Sequence, residues 1–204
     1  MTQAEIVVLA NSVKHGQHCV AGKCLNTGRW IRPVSNAQGA ELSHDQAKYQ
    51  NPYGTFGVKP LQKIKMGFAQ HVPLPHQPEN YLIDGNLWQQ NYSIGLAELP
   101  NHLDGPADLW GEGNRVLHAQ ITQGLYVVPQ SLYLVQVDNL SLYINNDDRR
   151  RASFTYNGID YDLAVTDPKF DELVREQREV TGILCISLGE EYQGYCYKLV
   201  ATIF

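Results

Sequence analysis

Asn157-Gly158, set between the strand-like runs Arg151–Tyr156 and Asp160–Thr166, constrains the fold most strongly. Asn-Gly matches the tight turn whose twist suits two antiparallel strands, so this segment reads as a hairpin. Asn26-Thr27-Gly28, between His18–Leu25 and Arg29–Ser35, makes the same argument near the other end of the chain. Glu5–Ala10 is a short apolar run typical of a buried strand, Gln62–Val72 alternates loosely, and Ser131–Ile144 is rich in Tyr, Leu and Val. Ile183–Leu188 and Tyr195–Phe204 flank Gly189–Gly194 as a last hairpin. Twelve Tyr and five Phe suit such strands.

Helical signals are few. Asp167-Pro168 predicts a helix start, with Asp167 as the cap and Pro168 where a missing N–H costs nothing. Phe170, Leu173, Val174 and Gln177 then share one side, and Gly182 stops the helix. Asn86–Leu99 is read as a second helix, weakened by Gly95 and ended by Pro100. Pro73-Leu74-Pro75-His76-Gln77-Pro78 sustains neither a helix nor a central strand, which predicts a boundary. The expected architecture is mainly β (α+β). Residues 1–75 form a basic lobe and 131–204 an acidic one, joined by a helix and loop segment over 76–130. Each lobe has four or five mostly antiparallel strands that close into a small barrel of OB type, with closely similar strand order in the two.

Charge supports a division of labour. The net charge is −5. Residues 1–75 hold eight Lys/Arg and three acids, residues 76–130 hold Arg115 against six acids, and residues 131–204 hold seven basic and twelve acidic groups. One basic lobe beside acidic segments fits a single lobe that meets a polyanion, although random surface charge gives the same sums. Apolar residues make up 43 % and charged residues 18 %, an ordinary globular balance. The first apolar run, Ile6–Ala10, is far short of the roughly 20 residues of a membrane span and has no basic flank, so a cytoplasmic location without membrane contact is expected. Cys19, Cys24, Cys185 and Cys196 are expected to be thiols. Cys185 and Cys196 suit cross-strand neighbours in the last hairpin.

Several segments carry a resemblance to a known family. Ile6–Lys14 leads into Cys19-Val20-Ala21-Gly22-Lys23 and Gly28-Arg29-Trp30-Ile31-Arg32-Pro33-Val34-Ser35. Gln77–Asp84 follows, then Val165-Thr166-Asp167-Pro168, Ile186-Ser187-Leu188-Gly189-Glu190 and Cys196–Ala201. Together they resemble the bacterial dual OB-containing domain family over nearly the whole chain. The resemblance implies two OB-like barrels. It also implies a non-catalytic, nucleic-acid-binding accessory or sensor in a bacterial defence or nucleic-acid-modification system. It brings no catalytic residues, and fold alone does not establish function.

The candidate contact residues are Lys14, Lys23, Arg29, Trp30, Arg32, Lys63 and Lys65. Strand alternation puts Trp30 and Arg32 on one face, where an exposed Trp stacks a base and an Arg holds a phosphate. The competing reading makes Trp30 core and pairs Arg32 with an acid or a carbonyl. Lys63 and Lys65 share a face and extend the basic track. Arg149-Arg150-Arg151 follows Asp147-Asp148 and reads as a solvated turn. His15, His18, Cys19 and Cys24 lack zinc spacing, and Cys19 and Cys24 point to opposite faces, so neither metal nor cofactor is expected. There is no Gly-rich phosphate loop, no Gly-x-Ser-x-Gly and no His-Glu-x-x-His. Ser12 with a neighbouring His, or Asp160 with Asp162, is the best the sequence offers for catalysis. The expected partner is single-stranded DNA or RNA. The alternatives are an operon-encoded protein docked by the acidic lobe, and a pocket for a nucleotide or modified base.

Overall fold

The computed structural model describes residues 2–14 and 16–204, and forms two compact units that divide between His102 and Leu103. The first unit contains β1 (Thr2–Lys14), β2 (Gln17–Cys24), β3 (Trp30–Val34), β4 (Lys48–Asn51), β5 (Gly54–Gly57), β6 (Gln62–His71), β7 (Asn80–Ile83) and β8 (Trp88–Ser93). A 3-10 helix, Leu96–His102, follows. Its strand order is β1-β2-β3-β7-β6-β8-β4-β5, and β1 also pairs with β6. That extra pairing closes β1, β2, β3, β7 and β6 into a ring.

One long strand makes closure possible. Thr2–Val7 of β1 pairs with Phe68–Lys63, while Ile6–Lys14 pairs with Cys24–Gln17. An irregularity between Val8 and Ala10 bends the strand from one partner to the other. The bend brings β1 so close to β2 that a Cβ at Gly22 would sit 2.1 Å from the Val7 carbonyl oxygen. Glycine is the residue that fits there. Ile6, Val8, Val20, Ile31, Ile64, Met66, Phe68 and Trp88 fill the interior. β3 and β7 run parallel, and the other ring pairs are antiparallel.

The second unit contains β9 (Arg115–Leu117), α1 (His118–Thr122), β10 (Leu132–Gln136), β11 (Asp138–Ile144), β12 (Arg150–Tyr156) and β13 (Ile159–Val165). It continues with α2 (Phe170–Glu176), β14 (Ile183–Tyr192) and β15 (Tyr195–Ile203). Its order is β10-β14-β15-β13-β12-β11, with β9 against β15. Val137 alone separates β10 from β11, so the two are halves of one bent strand. Taken as one, they give the ring order of the first unit, again with the third and fifth strands, β13 and β15, parallel. Phe154, Tyr161, Leu163, Phe170, Leu184, Ile186 and Val200 belong to its core. The buried Lys198 ties the loop before β9 to β15, because its Nζ donates to the carbonyls of Gly111 (2.5 Å), Glu112 (3.1 Å) and Gly113 (2.9 Å).

The strongest turn signal holds. The Asn157-Gly158 hairpin forms with both residues at positive φ, 49° and 78°, as a tight primed turn requires. Other expectations fail for identifiable reasons. Asp167 is not the cap of α2, whose N-cap is Lys169 with no side-chain bond; one Asp167 oxygen instead accepts from Lys169 N at 2.8 Å in the turn before the helix, and the other accepts from Ile203 N at 2.8 Å. The helix read over Asn86–Leu99 is instead β8 followed by the 3-10 helix. Between Trp88 and Ile94 the segment has no apolar residue at i+3 or i+4 except Tyr92, which is exposed. Residues 76–130 do not form a separate connector, because β7 and β8 belong to the first sheet and β9 to the second. α2 ends at Gln177, in a left-handed conformation, before reaching Gly182. Cys185 lies opposite Thr202 and Cys196 opposite Glu191, so these thiols are not cross-strand partners, and none of the four cysteines is in a disulfide. Among the described residues no helix is long and apolar enough to cross a membrane.

Candidate functional site

The Trp30–Arg32 pair is buried. Trp30 is 4 % exposed, and Lys23 Nζ sits 5.5 Å from its ring centroid. Lys23 is itself buried, and its ammonium donates to the His102 carbonyl at 2.7 Å. Arg32 is 8 % exposed, with Nε 3.6 Å from Glu79 Oε1. Ala21 and Val34, on the same outer side of β2 and β3, are also buried. The core reading of Trp30 is therefore the correct one, and neither Trp30 nor Arg32 offers a face to a ligand. Arg29 is exposed on the β2–β3 turn. The side chain of Lys14, and His15 entirely, lie outside the described residues.

Lys63 and Lys65 fare differently. Ile64, Met66 and Phe68 point into the barrel, so alternation turns both lysines outward; Lys63 is half-buried and Lys65 exposed. Strand pairing then builds a row across five strands: Glu5 (β1), Lys65 (β6), Gln89 (β8), Gln50 (β4) and Thr55 (β5) are successive partners. Tyr92 lies opposite Lys63 in the neighbouring row.

Beside this row opens a groove of about 410 Å³ lined by Gln50, Asn51, Pro52, Gln89, Gln90 and Asn91. Five of its six lining residues are carboxamides, each with both donors and an acceptor. Side-chain bonds hold some of them in place. Asn51 Nδ2 donates to Gln90 Oε1 at 3.1 Å, Gln90 Nε2 donates to Ser93 Oγ at 3.3 Å, and Asn91 Nδ2 donates to Glu5. Tyr53, 89 % exposed, follows Pro52 at the tip of the β4–β5 hairpin, and Tyr92 is 75 % exposed. The surface thus combines two cations, amides and open aromatic rings. Sequence reading missed the amides because Asn86–Leu99, which contains Gln89-Gln90-Asn91, was read as a helix.

The charge split survives at the true boundary in a smaller form. Residues 1–102 hold eight Lys/Arg against six acids, whereas 103–204 hold eight against fifteen. Glu79, Asp84 and Glu98 belong to the first unit and reduce its excess to +2.

The remaining clusters are structural. Arg150 pairs with Asp171 and Arg151 with Asp162, so two of the three arginines in that run are occupied within their own unit. His18 Nδ1 lies 3.0 Å from Asn11 Oδ1, and its Nε2 lies 3.4 Å from His44 Nδ1. Burial, and then the neighbouring His44, lower the pKa of His18. No group of three metal-ligating side chains occurs among the described residues. Asp160 accepts from Thr155 at 2.7 Å, which leaves it in a surface pair.

Comparison with known proteins bears on the fold. No curated protein matches the chain. Among solved structures, the tetrameric p202 HIN2 is similar at 9 % identity and a TM-score of 0.31, over 98 % of this chain and 88 % of that one. A likeness of that size is too slight to carry weight. The family model for the dual OB-containing domain matches residues 4–203. A closed ring, and a second sheet with the same strand order once β10 and β11 are taken as one, agree with that description, and the match runs through both: the chain belongs to the dual OB-containing domain family.

Proposed function

We propose that this protein binds single-stranded or otherwise non-duplex nucleic acid, through the outer face of its first unit and without acting on it chemically. One observation carries the reading: the Lys65–Gln89–Gln50 row runs into a groove lined by amides and flanked by Tyr53 and Tyr92. Lysines hold phosphates, open aromatic rings stack bases, and Asn or Gln side chains pair with base edges. A duplex hides the Watson–Crick edges and the π-faces of its bases, whereas an unpaired strand presents both. In this reading the protein is an accessory or sensor in a bacterial defence or nucleic-acid-modification system, working in the cytoplasm, where its four thiols stay reduced.

The test compares, by fluorescence anisotropy at low salt, an unpaired oligonucleotide of about 15 nucleotides, near the upper site size of one OB fold, with a duplex of the same length. Tighter binding of the single strand, as DNA or RNA, is expected. Equal or tighter binding of the duplex contradicts the groove as the contact. If neither binds, the acidic second unit favours docking of a partner protein instead.

A further inference from the structure

The second unit carries an aromatic cluster of its own. Tyr192 at the end of β14 lies opposite Tyr195 at the start of β15, Tyr195 lies opposite Leu117, and Tyr197 lies opposite Arg115 of β9. These pairings put three tyrosines and an arginine on one outer face, while Cys196 and Lys198, on the opposite face of β15, are buried. Tyr192 is 63 % exposed, Arg115 is exposed, and Tyr195 and Tyr197 are half-buried. Arg115 Cζ stands 4.1 Å from the Tyr195 ring centroid and 5.9 Å from that of Tyr197, and Nη1 donates to Tyr197 Oη at 3.3 Å. The guanidinium holds the rings in fixed orientations.

We propose that Tyr192, Tyr195, Tyr197 and Arg115 form a stacking platform for unpaired bases of a single strand, a second contact surface that rests on the nucleic-acid reading of the first unit. Three observations favour this ligand. The cluster stands on the turn between the fourth and fifth ring strands, one of the two loops through which OB barrels meet oligonucleotides. Tyr197 lies 6.3 Å from both Tyr192 and Tyr195, with the rings inclined at 55° and 62°. That spacing is roughly twice the 3.4 Å rise of a stacked strand, so the rings suit bases turned onto separate faces. Glu190 and Glu191 stand at the same tip and repel phosphate, so contact at the platform rests on the uncharged ring faces. Its contribution is therefore almost independent of salt, unlike that of Lys63 and Lys65.

The test uses the full chain and fluorescein-labelled oligo-dT of about 15 nucleotides, in a salt series. Tyr195→Ala with Tyr197→Ala should weaken binding about tenfold or more and leave the salt slope unchanged. Tyr195→Phe with Tyr197→Phe, which keeps the rings, should stay within about twofold of wild type. Thermal melts accompany each variant. If the alanine pair does not fold, Tyr192→Ala, at an exposed position, gives the same reading. Wild-type binding with no weakening in the alanine pair overturns the platform and leaves the first-unit reading standing. Equal weakening in the phenylalanine pair shows that hydroxyls rather than ring faces matter, and also overturns it. Absence of wild-type binding overturns both.

Discussion

Between its third and fourth ring strands the first unit inserts a hairpin, β4–β5, which extends the sheet past β8. The second unit inserts helix α2 at the same point, and Phe170 of that helix is wholly buried in the core. The hairpin contributes Tyr49 to its own core but leaves Phe56 44 % and Tyr53 89 % exposed. The ring therefore tolerates either element at this connection, and what the insertion buries decides whether it serves stability or surface. The same contrast appears in charge, +2 in the first unit against −7 in the second. It also appears in the first strand, which bends continuously in β1 but breaks at Val137 between β10 and β11.

The largest effect should come from exchanging these two roles. Phe170→Ala is expected to destabilise the second unit by about 3–5 kcal/mol, the usual cost of emptying a buried aromatic site. Phe56→Ala, at an exposed position, should cost less than about 1 kcal/mol. Equilibrium denaturation of the two variants decides, and similar costs would show that both insertions are integrated to the same extent.

A smaller effect is expected at Lys198. Lys198→Met should cost about 1–3 kcal/mol, because the carbonyls of Gly111, Glu112 and Gly113 are left without their donor. Burial pushes the Lys198 pKa down to about 8, against the Asp108 carboxylate, which favours the charged form. In the unfolded chain the amine keeps its proton to about 10.4. Between those values the unfolded state holds more protons, so stability should rise with pH from about 8 to about 10.4. That rise should be absent in Lys198→Met, and its persistence there would assign it to another group. In the first unit the buried Lys23 makes a comparable tie, its ammonium donating to the His102 carbonyl at 2.7 Å.

Much of the fold was legible because short-range turn chemistry is explicit. Asn157-Gly158 and Asn26-Thr27-Gly28 mark their hairpins, and Asp167 marks the approach to α2. Ring closure was not legible, since it depends on which half of β1 pairs with which strand. Alternation in β6 found Lys63 and Lys65, because Ile64, Met66 and Phe68 fix which side faces in. Alternation in β3 put Trp30 and Arg32 on one face but did not reveal that this face is buried. The amide groove was hidden by its own polarity: Gln89-Gln90-Asn91 carries no apolar period, and a strand pairing both β6 and β4 needs none there. The tyrosine platform depends on Arg115, which meets Tyr197 across 82 positions of sequence and only through the β9–β15 pairing.

The central claim is that the first unit's lysine row holds the phosphates of an unpaired strand. The most direct measurement is the slope of log affinity against log salt for oligo-dT, in wild type and in Lys63→Ala with Lys65→Ala. The account predicts weaker binding in the variant and a slope shallower by about 0.7 for each phosphate no longer held, so by about 1.4 if both lysines engage, with the melting temperature little changed. An unchanged slope, or no wild-type binding at low salt, would contradict it.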